Sequence, residues 1–503
     1  MALPPRTIED LCNLVATYNP EADFALIRRA YQYADDAHAG QKRATGEPYI
    51  IHPLATALTL AEMRLHVPII VAGLLHDVPE DTTKTLDDLK NEFGEDVSSM
   101  VAGITKLGKI KYRGMDRYIE NLRKMFLAMA ADVRVVFIKF ADRLHNLETL
   151  SSIPPKKQYR IALESLEIYA PIANRLGMGE IKGRLEDEAF KYVYPKEYQW
   201  VEEIARSQRE GKQEYLERVM KIARQVMEES GVKDVKIHGR AKHLYSLYLK
   251  LLKHDRNIGR VYDIIAVRVI VPTIVDCYSA LGVIHGRWSP LKGRIKDYIA
   301  QPKPNHYRSL HTTVFCEDGV IVEFQIRTPD MHIEDEFGIA AHWAYDERKQ
   351  MDDSVPVPPS KVPTWVHELA DLHQELADKK QYVRSLEDLK IDVFRDRIFL
   401  FTPKGDVIDL PEESTCVDFA YAIHTQIGNT CTAAKVNEEA SPLDRVLKNC
   451  DMVEIMTDKS RKGPNPDWLK FVKTRHAKSK IRQYAKSTIA SWIKGILPGT
   501  KER

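Results

Sequence analysis

The sequence predicts a multidomain protein with an all-α half, then an α+β domain, then a small second α+β domain. Three observations predict it. Apolar residues recur with helical period through residues 1–195, with few strand signals. After about Ser230 the pattern changes to strand-like runs, and in "GVIVEFQIRT" Val322, Phe324 and Ile326 alternate with Glu323, Gln325 and Arg327. A proline-rich break, "DDSVPVPPSKVP" at Asp352–Pro363, then separates this unit from the remainder. The expected divisions are 1–195, 196–350, a linker and connecting helix at 351–390, 391–458, and a basic end at 459–503. A chain of 503 residues has room for three or four such units.

Composition narrows the class. With 44% hydrophobic and 29% charged residues the chain reads as soluble and globular. No apolar run approaches the ~20 residues of a membrane span, and "MALPPRTIEDLCNL" lacks the basic and apolar stretches of a secretory leader. Cysteines 12, 277, 316, 416, 431 and 450 form no C-x-x-C, so neither a disulfide framework nor a zinc cluster is expected. A cytoplasmic protein is expected. The net charge of +2 hides an asymmetry, because Lys459–Arg503 holds 13 Lys and Arg against 2 acids, a local +11. Such a stretch is either a solvated face or a surface for nucleic-acid phosphates.

Within the helical half, "IALESLEIYAPIANRLGMGEIKGRLEDEAF" from Ile161 reads as two helices broken at Leu176–Gly179, and a long charged helix follows from Pro195 to about Ser230. The chemistry concentrates earlier. In "GLLHDVPEDT", His76 and Asp77 end the apolar run "VPIIVAGLL", and Glu80 and Asp81 lie four residues on, on the same side of a continued helix. Pro79 would clash with the carbonyl of Leu75, so the helix is expected to end or tighten near Asp77–Val78 and swing both acids over its end. His52 in "YIIHP" and Asp142 in "KFADRLHN" also stand at the ends of apolar runs, where a polar group is costly unless paired or metal-bound. Two imidazoles and two carboxylates suit a borderline-hard divalent ion such as Mn²⁺.

In the α+β domain, "GRAKHLYSLYLK" sets Arg240, Lys242 and Lys250 beside Ser246, a pattern able to grip a triphosphate. "YDIIAVRVIV" brings Asp263 into an apolar strand, and "GRIKDYIAQPKPNHYRSLHTTV" gathers Arg294, Lys296, Asp297, Lys303, Tyr307 and His311. Asp263 and Glu323 on neighbouring strands, ringed by cations, suit phosphoryl or pyrophosphoryl transfer: acids for Mg²⁺, cations for the transferring group, an aromatic for the base. Taken singly, Asp263 reads as a strand cap and Glu323 as an exposed partner of Arg327. Further on, "DRIFLFTPKGDVIDLP" reads as two short strands around a Lys404–Gly405 turn.

"RATGEPYIIHP", "LLHDVPEDT", "ITKLG", "FADRLHNLETL" and "YAPIANRLG" resemble the hydrolase domain of the RelA/SpoT homologue family, the bifunctional guanosine tetraphosphate synthetase/hydrolases, an HD-type phosphohydrolase domain. The resemblance implies that His52, His76, Asp77 and Asp142 hold Mn²⁺, that Glu80 and Asp81 act on the attacking water, and that Arg43 and Asn146 contact the nucleotide. Pro79 and Glu148 depart from the usual wording, Glu148 standing where a basic residue is common. The second half resembles the family's nucleotidyltransferase-like synthetase domain, which moves the β,γ-pyrophosphate of ATP to the 3′-hydroxyl of GDP or GTP. There the resemblance implies Asp263 and Glu323 as Mg²⁺ ligands or base, Tyr307 as the guanine stack, Asn305, His311 and Lys303 at the acceptor, and Arg240, Lys242, Ser246 and Lys250 facing ATP. "RIKD" at Arg294–Asp297 matches the basic form of bifunctional members, while His306 and Arg308 depart without touching a charged role. Residues 391–458, with "DFAYAIHTQIG", resemble the ubiquitin-like TGS domain, which implies contact of His424 with the 3′ end of a deacylated tRNA on the ribosome. A core-packed His424 is the plain alternative. Long family members continue into zinc-finger-like and ACT domains beyond the point where this chain stops. A single-activity enzyme with one silent site, or a ribosome-bound regulator, are the rival readings.

Overall fold

A computed structural model describes residues 6–108, 124–210, 213–261, 265–303, 307–341, 397–404, 406–448, 451–458, 460–461 and 463–496. The chain divides into two compact units, Met1–Glu375 and Leu376–Arg503.

The first unit begins with helices throughout. Helix Ile8–Ala16 starts at a capping box between Thr7 and Asp10, and helix Phe24–Ala37 starts at Asp23, which accepts from the Leu26 amide. Helices Ile51–Glu62, Val67–Leu75 and Arg134–Glu148 form the core, and nearly every residue of Val67–Leu75 is buried. Close packing depends on Gly73, where a Cβ would fall 2.4 Å from Leu60 Cδ1. The helix ends at Leu75 with His76 as its cap residue, slightly before the expected Asp77–Val78, and one further turn, Val78–Asp81, carries Glu80 and Asp81. Pro79 sits in the first positions of that turn, where its missing N–H costs nothing. The predicted break at Leu176–Gly179 also forms, between helices Ala170–Arg175 and Gly179–Val193, with Gly177 at φ +77. The expected charged helix appears as Pro195–Glu210 and Gln213–Glu229, on either side of residues 211–212.

The same unit continues into a five-stranded sheet of order β1-β2-β5-β4-β3: Lys236–Ala241, Ile265–Ile270, Ile321–Arg327, Leu310–Phe315 and Lys296–Asp297. β2 and β5 run parallel, Ala266 opposite Glu323, and the other pairs are antiparallel. Val267, Val269, Val322, Phe324 and Ile326 pack on helices Gln213–Glu229 and Ile274–Arg287. The opposite face is not the solvated one that alternation predicts. Gln325 and Arg327 are 3% and 0% exposed, because helix Pro329–Phe337 covers them and brings Asp335 to Arg327. The reading of Glu323 as an exposed partner of Arg327 is therefore corrected: its partner is His311.

In the second unit β6 (Arg397–Phe401) and β7 (Val407–Pro411) form the predicted hairpin around Lys404, beside a three-stranded sheet of β8 (Cys431–Val436), β9 (Glu439–Ser441) and β10 (Val453–Thr457). Helix Cys416–Ile423 shares a core with the cationic end of the chain: Val417, Ala420 and Tyr421 meet Trp468, Ala477 and Ile481. Trp468 is thus a core residue of this unit. Among the described residues no helix is long and apolar enough to cross a membrane, and the five described cysteines are free and buried.

Candidate active sites

Three apolar helices place the first cluster. His52 opens Ile51–Glu62, His76 and Asp77 follow Val67–Leu75, and Asp142 lies in Arg134–Glu148. His52, His76 and Asp142 are all buried, and one ligand atom from each lies within 4.8 Å of the others. His52 Nε2 stands 3.3 Å from Asp142 Oδ1 and 3.5 Å from Asp77 Oδ2, and His76 Nε2 stands 3.2 Å from Asp77 Oδ1.

The histidine tautomers fit a metal. His76 Nδ1–H donates to the Gly73 carbonyl at 2.8 Å, which leaves Nε2 a lone pair; that atom is buried and has no hydrogen-bond partner. His52 Nδ1 meets His145 Nδ1 at 2.7 Å, and burial together with His52 and Arg43 pushes the His145 pKa down to about 3. Either ring can donate across this contact; with the proton on His52 Nδ1, His52 Nε2 faces the carboxylates as a lone pair, the state a metal ligand needs. Burial resists ionisation of Asp142, but Lys139, whose Nζ is 2.7 Å away, and both histidines hold its carboxyl well below the usual range. Asp77 is likewise held low against its burial by His76 and His52.

The remaining predicted residues gather at the rim. The Tyr49 hydroxyl lies 2.9 Å from Asp77 and 2.6 Å from Asp81, its one proton shared between the two acids. Glu80 is exposed by area, yet burial of its carboxyl and the neighbouring Asp77 and Asp81 raise its pKa against the pull of Lys139. Arg43 donates to Asn146 at 2.8 Å, and Asn146 donates to Asp142. Glu148 faces away to Arg184 at 3.4 Å, which also holds Glu62. His145, Tyr49 and Lys139 are the residues that sequence reasoning missed. The only signal was spacing, His145 and Lys139 each lying three residues from Asp142 on one helix.

The second cluster lines a cavity of about 610 Å³ on the sheet, among whose walls are Ser246, Lys250, Arg294, Lys296, His311 and Glu323. β4 and β5 place His311 and Glu323 side by side, and His311 Nδ1 meets Glu323 Oε1 at 2.7 Å. Tyr307 bonds the other nitrogen, Nε2, at 2.6 Å. Burial opposes ionisation of Glu323, but His311 and Lys250 bring its pKa down to about 2. Burial and Lys242 lower Lys250 to about 7, and Lys242 itself falls to about 8. Arg240 reaches Gln325 at 3.1 Å, so it joins the covered face of the sheet. Lys303 sits 4.6 Å from the centre of the Tyr307 ring and Arg327 5.6 Å, so cations already cover the ring expected to stack guanine. Asp297 caps its own turn through the Ile299 and Ala300 amides. Asp263 and Asn305 lie outside the described residues. In the second unit His424 is exposed, not core-packed, and its Nδ1 accepts from the Gln426 amide at 3.2 Å.

Three family models match in the same order as these structures: "HD domain" over residues 30–179, "Region found in RelA / SpoT proteins" over 239–350, and "TGS domain" over 398–457. The chain is 46% identical over 479 residues to a guanosine-3′,5′-bis(diphosphate) 3′-pyrophosphohydrolase of Aquifex aeolicus, covering 95% of this chain and 67% of that protein. It is 44% identical to a GTP pyrophosphokinase of Myxococcus xanthus, covering 94% of this chain and 62% of that one. The bifunctional (p)ppGpp synthase/hydrolase SpoT of Escherichia coli is 43% identical, with 95% and 67% covered. The chain thus spans about two thirds of the length of these relatives. With its helical metal-capable half, its synthetase-type sheet and its small third domain in that order, the chain belongs to the RelA/SpoT family.

Proposed function

We propose that this chain is a bifunctional alarmone enzyme. It transfers the β,γ-pyrophosphate of ATP to the 3′-hydroxyl of GDP or GTP, releasing AMP, and it hydrolyses the product to GDP or GTP and pyrophosphate. The observation that carries the hydrolytic half is the buried His76 Nε2, without a hydrogen-bond partner and facing two carboxylates. His52, His76, Asp77 and Asp142 would hold a divalent ion, Mn²⁺ by the donor set, which when bound acidifies water and neutralises phosphate charge. Gly73 and His145 keep the two imidazoles in the liganding tautomer. Tyr49 fixes Asp77 and Asp81. Glu80, with its raised pKa, takes the proton of the attacking water, and Arg43 and Asn146 hold the nucleotide.

In the transfer half Lys242, Ser246 and Lys250 face the triphosphate with Arg294 and Lys296, and Arg240 braces the sheet below. Glu323 suits a Mg²⁺ ligand beside Asp263 better than a proton store, because a carboxylate with a pKa of about 2 is a weak base. The 3′-oxygen attacks the β-phosphorus as its proton is released to water, the bond to AMP breaks, and His311, between Tyr307 and Glu323, orients the acceptor end with Lys303 and Asn305. Purified protein given ATP, GDP and Mg²⁺ is expected to yield guanosine tetraphosphate and AMP. Given the tetraphosphate and Mn²⁺, it is expected to yield GDP and pyrophosphate. Product from only one incubation would reduce the reading to a single-activity enzyme.

We infer a cytoplasmic site of action and a role for the second unit in sensing deacylated tRNA on the ribosome. The exposed His424 supports this, together with the helix Arg475–Ile496 that packs against its neighbours. Ribosome-stimulated synthesis that is equal for wild type and His424→Glu would remove that role.

A further inference from the structure

The helix that lines the transfer cavity, Leu244–Lys253, has no cap of its own: its N-cap residue, His243, makes no side-chain hydrogen bond to the free amides. The cap comes from elsewhere. Asp187, on helix Gly179–Val193 of the hydrolase half, accepts from the Tyr245 amide through Oδ1 at 2.9 Å and from His243 Nδ1 through Oδ2 at 2.9 Å. Glu180, one face down the same helix, lies 3.7 Å from His243 Nε2. Between these two acids the helix carries Gly183, and the His243 ring fills the space a side chain would take; a Cβ there would fall 2.2–2.5 Å from the ring.

We propose that Asp187 is a positioning residue for pyrophosphate transfer, supplied by the hydrolase half: it caps the Leu244–Lys253 helix and, with Glu180 and Gly183, seats His243, and so fixes Ser246 and Lys250 in the cavity and Lys242 beside Lys250. This rests on the transfer reading given above. The acids carry the reason. An aspartate at a helix start satisfies amides that otherwise have no partner, and its charge opposes the positive end of the helix dipole. Lys242 immediately precedes the clamped His243, and Ser246 and Lys250 lie in the first two turns of the capped helix. Burial works against a charged His243, yet Asp187 and Glu180 raise its pKa to about 9, so the clamp stays an ion pair near neutrality.

The test is steady-state transfer by the full chain, with a non-hydrolysable ATP analogue titrated calorimetrically and hydrolysis measured in parallel. Asp187→Ala is expected to raise KM for ATP and weaken the analogue by about tenfold, the scale of a lost cap, with hydrolysis within about twofold of wild type. Asp187→Asn keeps an oxygen for the Tyr245 amide but loses the ion pair with His243, and is expected to recover part of the affinity. Gly183→Ala, which displaces the ring and leaves both acids in place, is expected to mimic Asp187→Ala. Unchanged ATP affinity in Asp187→Ala and Gly183→Ala would overturn the proposal, and so would equal loss of transfer and hydrolysis. A wild type that makes no transfer product would instead remove the transfer reading, and analogue affinity would still decide the clamp.

Discussion

At the residue scale the two sites solve opposite electrostatic problems. The helical cluster sets carboxylates beside imidazoles, a donor set that could hold a cation. His76→Ala or Asp77→Ala should therefore abolish Mn²⁺-dependent pyrophosphate release and Mn²⁺ binding while transfer persists. Glu80→Gln should keep the ion and slow hydrolysis by roughly 10²–10⁴-fold, the usual worth of a general base; full hydrolysis would show that another group takes the proton. The transfer cavity has the reverse character: burial, with Arg240 nearby, lowers the Lys242 pKa to about 8, and burial together with Lys242 lowers Lys250 to about 7. A lowered lysine pKa means charge that is complete below neutrality and lost as pH rises through it. A bound triphosphate restores that charge, so binding of an ATP analogue near pH 7.5 should take up protons. Calorimetry in buffers of different ionisation heat reads that uptake, and Lys250→Ala should lose most of it. The proposed ligands stood out in the sequence because each was a polar group at the end of an apolar run, and the fold brings His52, His76 and Asp142 together. His145 did not, since its partner His52 lies 93 residues away and meets it only once two helices pack.

Elements settle what single residues leave open. Alternation along β5 marked the apolar face correctly, but it could not say that helix Pro329–Phe337 would cover the polar face and bury Arg327 against Asp335. Local pattern records which side a residue takes, not what later covers it. The cationic end offers the same lesson. Charge alone left a solvated face and a phosphate-binding surface equally open, but the end's first part is anchored by Asp418, a fully buried carboxylate. Asp418 accepts from Thr415 within its own turn, and from the Lys473 amide at 3.0 Å and the Thr474 amide at 2.7 Å at the start of the next helix. Asp418→Ala strands those donors and should destabilise the second unit by about 3–5 kcal/mol, the cost of breaking a buried, hydrogen-bonded charge. Limited proteolysis should then cut near residues 470–475 in the variant and spare wild type. Hydrolysis and transfer, which belong to the other unit, should not move.

For the whole molecule the decisive fact is that both candidate sites share one compact unit. Helix Gly179–Val193 packs on Arg134–Glu148, which carries Asp142, and on Leu244–Lys253, which lines the transfer cavity. A second seam lies at Gly338, where a Cβ would fall 2.2 Å from the Leu176 carbonyl and where the Ile339 amide bonds that carbonyl at 2.9 Å. The contact through Gly179–Val193 depends on small residues whose meaning appears only in three dimensions. Separate chemistry on a shared frame gives two expectations. Asp263→Ala and Glu323→Gln should each stop transfer and leave hydrolysis intact, since neither residue belongs to the helical cluster. An enzyme that made and destroyed one product at once would consume ATP for nothing, so nucleotide at one site should weaken binding at the other. Linkage makes that weakening reciprocal: whatever factor an ATP analogue imposes on guanosine tetraphosphate binding in the helical half, the tetraphosphate must impose on the analogue. Couplings of this kind are typically worth 5–150-fold, and calorimetric titrations in both orders measure the factor twice. Equal factors in the two orders, reduced together by Gly338→Ala, would place the coupling in the seam. Independent binding would mean that the two halves share a frame but not a switch.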